Sequence, residues 1–306
     1  MSERFGMRTR AALTSAFLFS FLTTFFFLPQ SRAASPENLS DTGLTTFRVT
    51  AGEVHVAISA VESRSEAAGE LSASDFILLR DGRPVEQIVS FRRCAQMPVS
   101  ALVLTDVSES MRPGLKLERD AAQWLKANSD ADRDHLRFLD FGMEVGPTEK
   151  RVGTHLTSLY DSLLMTLAEV TSEGAGRRAL ILMSDGDDNS SYHGLEDVIT
   201  IAQKFDVAIY AITAHPSRKQ YVAEDILQTL TAETGGRFFQ VRNTRQMEEA
   251  LSAIRAELTN GYELVFRSNS MQPGMHQLAI KPMSAKLRFF YRTAYFQPDG
   301  VAMAAR

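Results

Sequence analysis

The chain has 306 residues, of which 44% are hydrophobic and 23% charged. That balance excludes a disordered or fibrous chain and leaves room for two domains of unequal size. The formal net charge of −4 carries no basic footprint, which argues against nucleic acid as a partner, and the single cysteine excludes a disulfide framework or a cysteine-based metal site.

Arg4, Arg8 and Arg10 precede residues 11–28, a run without one charged side chain, and Pro29 with Ala33-Ala34-Ser35 closes it. Charged start, apolar middle and small-residue end are the parts of a secretory signal, here 1–33. The run also sits at the lower edge of membrane-spanning length, so retention as an inner-membrane anchor is the competing reading; the flanks favour cleavage. The expected location is periplasmic or extracellular, with membrane contact only if the segment is retained. Removing residues 1–33 takes away four Arg and one Glu, leaving 29 basic and 36 acidic residues and a net charge of −7. Such a surface is repelled by anionic membranes.

Residues 34–46 are polar and read as a linker. An N-terminal β segment follows over 47–93, with Val54, Val56 and Ile58 in alternation. Phe76 to Arg80 leads into Asp81-Gly82, a strong hairpin signal, and Val85 to Phe91 is expected to return as its partner strand. Cys94 reads as a buried thiol, although Arg92 and Arg93 could activate it.

The rhythm changes over 98–258. Strand-length apolar runs at 99–104, 136–141, 179–183, 207–213 and 237–241 alternate with helical patterns at 115–128, 159–171, 195–205, 222–234 and 245–259. Continuous apolar strands are buried on both faces, as in a parallel sheet covered by helices. The expected fold is therefore α/β, a doubly wound and mostly parallel sheet. Glu248, Ala250, Leu251, Ile254 and Leu258 place a core stripe on the last helix. Residues 261–296 return to strands as a C-terminal β segment, and 297–306 form a tail. The two β segments are expected to pair into one sandwich-like domain, with the α/β domain inserted between them.

Ligands bind open parallel sheets where strands end and helices begin. Those junctions hold Asp106, Ser108 and Ser110 after the first strand, Thr157 before a helix, and Asp185 after the third strand. Two carboxylates and three hydroxyls make an all-oxygen set, suited to a hard cation such as magnesium, with manganese or calcium as substitutes. Ser and Asp before helices are also common caps, and each residue taken alone reads that way. Asp187 and Asp188 read as solvated loop residues. The six histidines are dispersed, Gly174-Ala175-Gly176 lacks the context of a dinucleotide loop, and no Gly-x-Ser-x-Gly element is present.

Asp-x-Ser-x-Ser at Asp106, Ser108 and Ser110, followed by Thr157 and then Asp185, resembles the von Willebrand factor type A domain family with its metal-ion-dependent adhesion site. The flanking strands, Leu71 to Phe91 and Tyr291 to Phe296, are similar to a bacterial secreted subgroup of that family. The resemblance implies an exported, non-enzymatic module whose divalent cation leaves one position for an Asp or Glu of a partner protein. Glu109 departs from the pattern, which usually has a small residue there. A magnesium-dependent phosphohydrolase of haloacid dehalogenase type is the alternative, but it needs a second Asp where Ser108 stands.

Overall fold

A computed structural model describes residues 52–62, 68–95, 97–147, 155–172, 176–214, 221–268 and 272–298. The expected signal segment, the linker, residues 47–51 and the tail beyond 298 lie outside the described residues. Among the described residues no helix is long and apolar enough to cross a membrane.

The N-terminal strands are β1 (Glu53–Val61), β2 (Phe76–Arg80), β3 (Arg83–Pro84) and β4 (Ile88–Arg93). The inserted α/β region runs β5 (Val99–Asp106), α1 (Leu115–Asn128), β6 (His135–Phe141), β7 (Val145–Pro147), α2 (Leu159–Ser172), β8 (Arg177–Met183), α3 (Leu195–Phe205), β9 (Val207–Thr213), α4 (Tyr221–Thr234), β10 (Phe238–Gln240) and α5 (Thr244–Thr259). The chain closes with β11 (Tyr262–Arg267), β12 (Gly274–Pro282), β13 (Arg288–Phe290) and β14 (Ala294–Gln297).

The central sheet has the order β10-β9-β8-β5-β6-β7, parallel throughout except for the short edge strand β7. Strand alternation splits its side chains between two cores. Leu102, Leu104, Leu180 and Leu182 meet α2, α3 and α4 on one face. Val103, Ala179, Ile181 and Ile212 meet α1 and α5 on the other. Burial on both faces explains why these strands read as unbroken apolar runs. The fold class expected from the sequence is the one observed, a mostly parallel α/β sheet flanked by antiparallel sheets. The last apolar run is shorter than its pattern, because β10 is an edge strand with a partner on one side only.

The flanking sheets have the orders β13-β1-β11-β4 and β14-β12-β2-β3. Val56, Ile58, Leu264 and Phe266 of the first pack against Phe76, Leu78, Leu278 and Ile280 of the second in one cluster. Each sheet therefore combines strands from both ends of the described chain. The hairpin expectation needs correction. Asp81 and Gly82 do turn the chain, at φ values of 48° and 76°, but the returning strand β3 holds only two residues. Pro84 has no N–H to continue the ladder. The following residues cross to the other sheet, where β4 pairs with β11.

Buried arginines fasten the sandwich to the α/β domain. Arg177 donates to the Glu257 carbonyl on α5 and, at 3.1 Å, to Ser59 on β1. Arg292 donates to the carbonyls of Gln203 (2.7 Å) and His55 (2.6 Å). Gly261 sits in this seam, and a Cβ there would run into the Arg177 guanidinium and the Ile58 carbonyl.

Without β11 to β14, β1 and β4 have no ladder partner and β2–β3 is left as a lone hairpin. A peptide of residues 47–93 is therefore expected to be unfolded in circular dichroism and amide NMR. A dispersed spectrum with a cooperative melt would contradict this arrangement.

Candidate functional site

The chain leaves β5 through α1 to β6 on one side and reaches β8 on the other side through α2. The connections diverge at the carboxyl end of β5, the switch point outside which sheets of this kind bind their ligands. Asp106 is the last residue of β5 and fully buried. Its Oδ1 accepts the Ser108 N–H at 2.9 Å, and its Oδ2 accepts the Ser184 hydroxyl at 2.8 Å. Ser184 and Asp185 follow β8 directly, so that second bond ties two neighbouring strand ends together. The Val107 N–H, donating to the Phe141 carbonyl at 2.9 Å, ties in β6 as well.

Ser108 leads into a single 3₁₀ turn, Glu109–Met111. The turn brings the Ser108 and Ser110 hydroxyls within 3.0 Å of each other. Gly186, at φ 85°, lets the chain turn sharply after Asp185, and a Cβ there would stand 2.8 Å from the Ala223 carbonyl oxygen. Its N–H donates to Ser184 Oγ at 3.0 Å, which leaves that hydroxyl's proton for Asp106.

Thr157 is buried just before α2 and is held by the loop after Asp185. Its N–H donates to Asn189 Oδ1 (2.9 Å), and its carbonyl accepts the N–H groups of Asn189 (3.0 Å) and Ser190 (3.2 Å). Asp188 is not a merely solvated loop residue. It is partly buried, and its Oδ1 accepts the Leu159 N–H at 2.8 Å, satisfying an open donor in the first turn of α2. Asp106, Ser108, Ser110 and Asp185 thus stand at adjoining strand ends, and Thr157 joins them through Asn189.

Burial pushes the Asp106 carboxyl up to about 6 against the pull of hydrogen bonds from Ser108 and Ser184, and the charge of Asp185 pushes in the same direction. Glu118, on the first turn of α1, is pushed well above the usual carboxylate range, first by burial and then by the charges of Asp106, Asp185 and Asp140. Among the described residues, no three His, Cys, Asp or Glu side chains stand close enough to hold an ion together. A cation at these strand ends therefore has to be shared with hydroxyl oxygens, and two buried carboxylates with the Ser108 and Ser110 hydroxyls at the end of β5 fit one.

Glu109 lies at the rim rather than among these donors. Its carboxylate pairs with His155 Nδ1 at 2.6 Å and with Arg112 at 3.6 Å. Cys94 is buried, and burial pushes its thiol up, so Arg92 and Arg93 do not activate it.

Sequence reading alone missed Ser184, Asn189, the capping role of Asp188, and Glu118. Only Glu118 left a signal, as a carboxylate on the same helical stripe as the buried Ala121 and Leu125.

The fold and these strand ends define a doubly wound α/β domain with oxygen donors gathered at its switch point. Residues 142–253 match the family model of the von Willebrand factor type A domain, and the chain carries a domain of that family. The matched stretch includes Thr157 and Asp185; Asp106, at the end of β5, and Ser108 and Ser110, in the turn after it, precede that stretch. Domains of this family serve chiefly as protein-interaction modules. No curated protein matches the sequence. Among solved structures, the chain is similar to proximal thread matrix protein 1 from the mussel byssus, with 12% identity, a TM-score of 0.43 and coverage of 65% of this chain. It is also similar to the PilB minor pilin from Streptococcus sanguinis, with 13% identity, a TM-score of 0.42 and coverage of 54% of this chain. The similarity spans 50% and 62% of those two proteins.

The Asp106 carboxyl holds its proton more tightly folded, near 6, than at its ordinary value of 3.8. Its penalty is absent at low pH, grows as the pH rises between those values, and levels off at about 3 kcal/mol. In chelator, Asp106→Asn should gain stability relative to the parent over that pH window and hold the gain above it. Urea unfolding of both proteins from about pH 4 to 7 measures this. A difference that does not change with pH would mean that Asp106 ionises in the fold without penalty.

Proposed function

We propose that this protein is an exported adhesion-type module in which Asp106, Ser108, Ser110, Thr157 and Asp185 hold a divalent cation that engages an Asp or Glu of a partner protein. The observation that carries this reading is the pairing of two buried carboxylates with alternate hydroxyls at one switch point. When bound, the cation would supply a positive centre for a carboxylate oxygen, a strong and directional bond. Asp106 and Asp185 would provide the charge, and the hydroxyls would complete the shell without neutralising the ion further. Magnesium keeps several waters in such sites, which leaves one to be displaced by a partner's oxygen.

The surroundings support a protein partner. Met143, Leu156 and Tyr192 are exposed on the loops that follow β6, precede α2 and follow β8. An acidic residue flanked by apolar side chains fits such a rim. The phosphohydrolase reading lacks its acid/base, because Ser108 is a hydroxyl where a carboxylate is required. Export rests on the charged start and apolar run of residues 1–33; the mass of the mature protein recovered from cells tests cleavage.

Titration calorimetry of the intact protein with magnesium or manganese tests the site. Binding is expected for the parent, with a rise in melting temperature, and is expected to be lost in Asp106→Ala. Asp188→Ala should cost about 1 kcal/mol of stability through its lost cap while leaving affinity within a few-fold. Absence of divalent binding by the parent would end the proposal.

Glu109 places a negative charge beside the open position, partly masked by His155 and Arg112. Glu109→Gly should strengthen the binding of an acidic peptide several-fold at matched magnesium and salt, without creating hydrolase activity. Weaker peptide binding would make Glu109 itself a partner contact.

A further inference from the structure

We propose that Glu118 is a third carboxylate of the cation site, a positioning residue that holds cation-bound water from beneath the Asp106 loop. This rests on the metal reading above. Glu118 is only 1% exposed, and neither of its carboxylate oxygens has a hydrogen-bond partner within the fold. It occupies a stripe position of α1, alongside the buried Ala121 and Leu125, where an apolar side chain would be the stable choice.

Its surroundings indicate what it faces. The three charges acting on it, Asp106, Asp185 and Asp140, are all negative. Two of them are the carboxylates of the proposed cation site. Its Oε1 lies beside Gly114, where a Cβ would stand 3.6 Å from that oxygen and 3.2 Å from the Ala214 side chain just beyond β9. The carboxylate therefore lies at the carboxyl-end face of the sheet, in a gap that Gly114 leaves open.

Direct ligation is not the arrangement, since no three carboxylates come close enough to share an ion. Water is the natural link. Magnesium retains several waters, each with protons to donate, and an acceptor with two free oxygens satisfies them. A third negative charge also favours a divalent over a monovalent cation. Such outer partners of a metal site typically contribute about 10- to 100-fold in affinity.

Calorimetry with Mn2+ and Mg2+, and melting in chelator, should be run on the full protein and on Glu118→Gln, Glu118→Asp, Glu118→Leu and Asp106→Ala. Glu118→Gln and Glu118→Leu should melt above the parent in chelator yet bind Mn2+ about 10- to 100-fold more weakly. Glu118→Asp should recover part of that affinity. Water-proton relaxation by bound Mn2+ should differ between the parent and Glu118→Gln, a readout that a purely structural role would not move. Parent-like affinity and relaxation in both neutral variants, with binding still lost in Asp106→Ala, would overturn the role of Glu118 alone. No binding by the parent would overturn the cation site and this role together. If Glu118→Gln does not fold, Glu118→Leu, which fills the gap with apolar atoms, decides the question.

Discussion

The hydrogen bond from Ser184 to Asp106 concentrates the demands on this molecule. It joins the ends of β8 and β5 at the point where the chain's connections diverge, and it does so beside a second buried carboxylate, Asp185. Two like charges out of water are costly unless their oxygens are satisfied and their charge is balanced. The fold satisfies the oxygens locally. A backbone N–H and a hydroxyl serve Asp106, a backbone N–H serves Asp185 Oδ1 at 3.1 Å, and Gly186 turns the chain so that these donors converge. It does not balance the charge, since the neighbouring buried acid Glu118 adds to the deficit. The two strand-end carboxylates are thus satisfied in hydrogen bonds but short of positive charge.

The rest of the domain packs beneath these strand ends while the surrounding loops stay exposed. Two apolar cores, one on each face of the parallel sheet, fix the strand ends. The loops beyond them are tied to one another by side chains rather than packed. Asn189 holds Thr157, Asp188 caps α2, and Asp161 accepts the N–H groups of Tyr192 and His193 at 3.0 and 3.1 Å. The loop after β8 and the start of α2 therefore behave as one unit, although nearly thirty residues separate Thr157 from Asp185.

The sandwich is closed by strands from both ends of the described chain, and its seam with the α/β domain is polar and buried. Arg177, which also holds the Glu257 carbonyl on its own side, reaches across it to the Ser59 hydroxyl, and Arg292 reaches across it to the Gln203 carbonyl while holding that of His55. A guanidinium that donates to partners on both sides fixes geometry more than it adds stability, because its burial is costly. Unlike apolar packing, which can slide, these bonds keep the inserted domain in one orientation on its support.

Much of this was legible in the sequence. Continuous apolar runs identified the parallel strands, helical spacing identified α1 to α5, and Asp81-Gly82 identified a turn, because each depends on neighbours within a few residues. The order of Asp106, Ser108, Ser110, Thr157 and Asp185 pointed to the carboxyl ends of strands for the same local reason. What the sequence could not supply was pairing across long separations. Whether the residues after Pro84 stay with β2 or cross to β11 depends on which sheet offers the free edge. Ser184 as the partner of Asp106, and Asp188 as the cap of α2, exist only once β8 lies beside β5. Glu118 shows the division most clearly. Its place on a buried stripe could be read from spacing, but the unpaired state of its carboxylate and the acids around it arise only when the sheet brings three strand ends together, because electrostatic neighbours are set by distance in space and not along the chain.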